Sequence, residues 1–156
     1  MRAALELIAK KGPAGFTFAE AALVASWDGG KPNAFAAFER LGKAYLRFAR
    51  EEPAYYSAMF ETGLSLESSP ELRAASERTF AVLRAATEQL VAAMPAHNRP
   101  PVLMMALHVW AIAHGIASLF GRGDGAQRAA PIAPEELLEA AMLIYLRGLG
   151  VPDPRS

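Results

Sequence analysis

Apolar residues recur along this chain at intervals of three and four, the spacing of one helical face, from the first ten residues to the last twenty. Leu5, Ile8 and Ala9 mark a first helix over about residues 2–11. Gly12-Pro13 closes it, because glycine accepts a left-handed cap and proline cannot continue the ladder. Thr17-Phe18-Ala19-Glu20 has the form of a capping box and predicts a second helix from Phe18. After the break at Gly29-Gly30-Lys31-Pro32, Asn33 caps a helix from Ala34 to about Glu51, with Phe35, Phe38, Leu41, Tyr45 and Phe48 on one stripe. Pro53 opens a short helix to Phe60, and Ser69-Pro70 opens a long one that Pro95 stops near Met94. Pro100-Pro101 precede another, ending near Gly121. A flexible connection then begins at Gly121–Gly125, and Pro134-Glu135-Glu136 starts the last helix, which ends around residues 148–150. No alternating segment is long enough for a strand. The pattern predicts an all-α fold.

Composition narrows the picture. Hydrophobic residues make up 53% of 156, enough to fill a core. The most apolar run, residues 102–120, carries His108 and His114 and fits a buried helix better than a bilayer span. With no cysteine, disulfides and thiolate metal sites are excluded. No secretory leader is evident, so a cytoplasmic location is expected. Basic and acidic residues balance at 16 each, so a whole-surface nucleic-acid binder is not expected.

Enzymatic patterns are missing from the sequence. No Glu-x-x-His pairs suggest a di-iron bundle. His97, His108 and His114 have Pro101, Ile112 and Ser118 four residues on, so no metal pair forms by spacing. Glu51-Glu52 beside Arg47 and Arg50 reads as a surface ion cluster. Neither catalytic residues nor a metal or other cofactor are expected. What stands out is an aromatic and methionine concentration: Tyr45, Phe48, Tyr55, Tyr56, Met59 and Phe60, with Phe80, Leu83, Met104, Met105 and Trp110 able to face them. Such linings suit apolar small-molecule pockets. His114, one turn after Trp110, is either a polar anchor for a ligand or a core histidine bonded to a neighbour.

Trp110-Ala111-Ile112-Ala113-His114-Gly115 and the block from Ala44 to Glu61 resemble the regulatory body of the TetR family of transcriptional repressors. They match a subgroup with a Trp-x-x-x-His-Gly signature. Residues 3–20 resemble the opening of that family's helix-turn-helix domain. The turn and recognition helix that should follow have no counterpart between about residues 22 and 23. Either that stretch exists and is unseen, or it is deleted.

The resemblance implies a helix-turn-helix remnant over residues 1–22 and an effector-binding, dimerising domain over residues 23–156. It places Thr17 beside the phosphate backbone of operator DNA, which the missing segment would read. It implies an effector pocket drawn from Tyr45, Phe48, Tyr56, Met59, Phe60, Phe80, Leu83, Met104, Trp110 and His114. It also implies a homodimer paired through the last two helices, where Ala111, Gly115, Ser118, Leu137, Ala141, Ile144 and Tyr145 would meet their mates. The expected function is a DNA-binding repressor relieved by a small hydrophobic or aromatic effector. A dimeric helical small-molecule-binding module without DNA contact is the alternative. No membrane partner is expected.

Overall fold

In the computed structural model, residues 2–61, 63, 65, 69–121 and 131–151 are described, with side chains from Pro13 onward. Among them are six α-helices and no strand: α1 (Arg2–Trp27), α2 (Ala34–Glu51), α3 (Pro53–Phe60), α4 (Pro70–Ala92), α5 (Val102–Ile116) and α6 (Pro134–Gly148). Short 3-10 turns follow α1 and α4, and α5 runs on into a π-helical turn over Ala117–Gly121. Beyond Gly121, the expected flexible connection lies outside the described residues.

The amino-terminal expectation is overturned. Instead of two helices divided at Gly12-Pro13, α1 continues through Pro13 and past residues 22 and 23 without a break. Proline there forfeits one backbone hydrogen bond and crowds the preceding turn. Burial outweighs that local cost, because Phe16, Ala19, Leu23 and Trp27 fall on one face and are all buried. That face packs on α2, α3 and α4. The capping box does not form. The Thr17 hydroxyl donates to the Pro13 carbonyl at 3.0 Å within the helix, and Glu20 accepts from Arg78 of α4 at 3.2 Å. With no helix start at Thr17, the row of free N–H groups that would hold a DNA phosphate is missing there.

From residue 33 on, local signals and tertiary packing agree. Asn33 accepts from the Ala36 N–H at 2.9 Å, Pro53 sits in the first turn of α3, and Ser69 accepts from the Leu72 N–H at 3.2 Å. A cap of this kind contributes about 1 kcal/mol. Arg40 ties the 28–32 turn to α2 by donating to the carbonyls of Ser26, at 3.0 Å, and Lys31. Gly30 has a φ of +82°, a left-handed conformation that favours glycine.

The centre of the bundle is α2. Its buried positions are not only the stripe Phe38, Leu41, Tyr45 and Phe48 but also Leu46 and Ala49 on one side of it and Ala37 and Ala44 on the other. A stripe that wide needs partners on several sides, and α2 has them in α1, α3, α4, α5 and α6. Gly42 makes room for Leu138 of α6: a Cβ there would lie 2.9 Å from Leu138 Cδ2. Val102–Gly121 is long and apolar enough to cross a bilayer, yet it packs along α2, α4 and α6.

Candidate ligand-binding site

All six helices contribute to a chamber of about 590 Å3 in the middle of the bundle. That volume lies within the usual range for small-molecule pockets. Phe16 and Leu23 of α1, Phe60 of α3, Phe80 and Leu83 of α4 and Trp110 of α5 form its apolar inner wall. Helix α2 gives Phe38, Leu41 and Tyr45, and α6 gives Leu138 and Met142. The rings are in contact: Phe16 meets Phe60 edge to face at 5.8 Å and 77°, and tilted pairs join Phe60 to Trp110 at 6.2 Å and Trp110 to Phe80 at 6.1 Å.

Behind that wall lies a polar cluster. Two phenols converge on one nitrogen, with the Tyr45 hydroxyl 2.8 Å and the Tyr56 hydroxyl 3.0 Å from His114 Nδ1. The Tyr56 hydroxyl is also 2.7 Å from Ser118 Oγ. An imidazole nitrogen accepts or donates only one strong bond. We assign the neutral ring with its proton on Nε2, so that Tyr45 donates to Nδ1 and Tyr56 donates to Ser118. Burial holds the Tyr45 hydroxyl well above the ordinary phenol pKa, with the adjacent Tyr56 adding to it, so it stays a proton donor. Burial also lowers the His114 pKa, against an opposing pull from the Glu61 charge.

The chain from residue 38 to residue 145 matches the family described as tetracyclin repressor-like, C-terminal domain. This chain belongs to the TetR-like family. No curated protein and no solved structure matches it.

Seen residue by residue, the TetR-like chain divides the expected pocket residues into three groups. Tyr45, Met59, Phe60, Phe80, Leu83 and Trp110 line the chamber. Tyr56 and His114 stand behind it, joined to it through Tyr45, while Phe48 is buried under Phe18 with ring centroids 6.1 Å apart. Met104 is on the outside and 54% exposed. Its neighbour Met105, a third of a turn around α5, takes the core position instead. Sequence reasoning missed Phe16, Leu23, Phe38, Leu138 and Met142, and also Glu77, a charged lining residue on α4.

Charged side chains edge the chamber between α2 and α6. Lys43 is bonded to Glu39 at 2.5 Å and lies 3.8 Å from Glu139; the Glu39 hydrogen bond raises its pKa despite partial burial. Arg50 reaches across to Glu135 at 2.5 Å rather than staying with Glu51 and Glu52. Burial opposes the Glu135 charge, but the Arg50 bond prevails and its carboxyl sits below the usual range. Exposed pairs like these add little stability, yet both span the α2–α6 seam.

The His114 environment has a pH consequence. Its folded pKa lies below the unfolded value, so the unfolded chain binds more protons just below pH 6.5. Stability from this group is present above the unfolded pKa and declines as pH falls through that window. Urea melts should give a lower midpoint at mildly acid pH than at neutrality, and His114→Asn should flatten that difference. An equally steep decline in the variant would remove His114 as its source.

Proposed function

We propose that this chain is the effector-sensing, dimerising body of a TetR-like transcriptional repressor, relieved by a small apolar or aromatic molecule that enters the central chamber. The observation that carries this is the chamber itself, an aromatic-walled space of about 590 Å3 bounded by every helix of the bundle. A native core closes such a space at a few kcal/mol of gain, and a chain that keeps it open forgoes that gain for a ligand.

Dimerisation is supported by an unpartnered apolar face. Leu103, Met104, Leu107, Ala111 and Leu119 of α5 and the turn after it are exposed at close to four-residue spacing. Gly115 stands in the same row, with nothing near the place its side chain would occupy. Ile144 on α6 is 72% exposed. Of the residues expected at a dimer contact, Ala111 and Ile144 are exposed, and Leu137, Ala141 and Tyr145 are half-buried on α6. Ser118 is an exception: its hydroxyl is taken by Tyr56 on the inner side. Two such faces would form a four-helix bundle in which chamber occupancy alters the tilt of α6.

Operator binding is the finer part of the proposal, supported by family membership and by the likeness of residues 3–20 to a repressor opening. The continuity of α1 through Trp27 favours the second reading, a dimeric small-molecule-binding module without DNA contact. Retardation of duplex DNA in a gel, reversed by ligand, supports the repressor; a chain that binds ligand and never retards DNA is the module.

The sensing claim is tested by melting the protein with biphenylbutanol, a neutral aromatic ligand. At about a hundred times the dissociation constant, linkage adds about 2.7 kcal/mol, or about 5–10 °C in Tm for a domain of this size. The same samples should sediment as dimers. An unmoved Tm at saturation-range concentrations, with the protein monomeric, would contradict the reading.

A further inference from the structure

We propose that the chamber selects lipophilic cations, molecules with a flat apolar body and a fixed positive charge; this rests on the chamber being the effector site. Two independent features point to that chemistry. The first is the run of rings Phe16, Phe60, Trp110 and Phe80, all lining the space, with consecutive centroids 5.8, 6.2 and 6.1 Å apart. Their planes are inclined at 77°, 52° and 60°, so they do not stack flat on one another. Faces of aromatic rings carry the negative part of the ring quadrupole and attract cations.

The second feature is the charge of the lining. Glu39, Glu77, Glu135 and Glu139 border the chamber, against a single cationic side chain, Lys43. Lys43 is already held by Glu39 and Glu139, and Glu135 is held by Arg50. Glu77 differs from the rest. It lies on α4 one turn before Phe80 and beside Ser76, both of which also line the space. No ion pair engages it among the described residues.

An anionic ligand entering this space would meet no free cation among the described lining residues, and burial keeps His114 behind the wall in its neutral form. A neutral ligand would leave the Glu77 carboxylate at the edge of this space without a counter-charge. A cation would satisfy Glu77 and lie against ring faces at the same time.

The experiment uses three ligands with one body: biphenylbutyl-trimethylammonium, biphenylbutanol and biphenylbutanoate, titrated calorimetrically into the full chain. The cation is expected to bind about tenfold more tightly than the alcohol, which corresponds to one well-placed charge contact. The carboxylate should bind more weakly than either. Glu77→Gln, at an exposed helix position, should weaken the cation and bring it close to the alcohol. If the alcohol binds as well as the cation, or the carboxylate binds best, the charge preference is wrong and the sensing chamber stands. If Glu77→Gln leaves the preference intact, its assignment to Glu77 is overturned. If none of the three binds, the effector-site reading falls together with this one.

Discussion

Replacing Tyr56 with alanine should cost the bundle about 3–5 kcal/mol, the range for deleting a buried aromatic side chain. Tyr56 is fully buried, and its ring packs against Phe60 at 5.0 Å, His114 at 5.5 Å and Tyr45 at 6.3 Å. Its hydroxyl lies within hydrogen-bonding reach of Ser118 Oγ and His114 Nδ1, so the change also leaves polar groups unmatched in the interior. Against a total stability of about 5–15 kcal/mol for a typical domain, a loss of that size brings the variant close to its unfolding limit. Tyr56→Phe separates the two contributions. It keeps the ring and removes only the hydroxyl, for an expected loss of about 1–3 kcal/mol. Urea midpoints for the three proteins measure this directly. If alanine costs no more than phenylalanine, the ring has no packing role, and the picture of a cemented wall behind the chamber fails.

Much of this was open to sequence reasoning, for a definite reason. Helices α2 to α6 start at Asn33, Pro53, Ser69-Pro70, Pro101 and Pro134, residues whose local chemistry and tertiary setting agree. In α1 they conflict. Gly12-Pro13 and Thr17-x-x-Glu20 are local stop and start signals, but the buried row Phe16, Ala19, Leu23 and Trp27 crosses them. Local signals weigh a few kcal/mol at most, and four buried side chains outweigh them.

The chamber was legible only in part. Aromatic clustering picked out Tyr45, Phe60, Phe80 and Trp110, because a pocket wall needs large apolar side chains. It gives no means of dividing wall from backing, because Phe48, Tyr56 and His114 share the apolar spacing of the residues that line the space. Met104 failed through helical phase: one residue is about 100° of rotation, and Met105 faces inward in its place. The contributions of α1 and α6 depend on contacts between elements far apart in sequence, which periodicity does not report. Ser118 carried a usable signal, since it lies one turn after His114 on the same face and joins the same cluster through Tyr56.

The second large effect concerns the chamber itself. Ser76 is a small, half-buried residue on α4, beside Glu77, and lines the chamber as Phe60 and Trp110 do. Ser76→Phe places a ring in open space, so it should cost little stability. Overpacking a filled core, by contrast, costs about 1–3 kcal/mol. It should nevertheless abolish ligand uptake, since the added ring occupies the volume a ligand needs. Trp110 is the natural reporter because it lines the chamber, and Trp27→Phe removes the other indole.

The deciding measurement is therefore the fluorescence of Trp110 in Trp27→Phe protein, titrated with biphenylbutyl-trimethylammonium, with and without Ser76→Phe. A saturable change that vanishes in a folded Ser76→Phe protein is the expected result. No saturable change in the parent, or the same change in the blocked variant, would contradict a ligand chamber at the centre of this bundle.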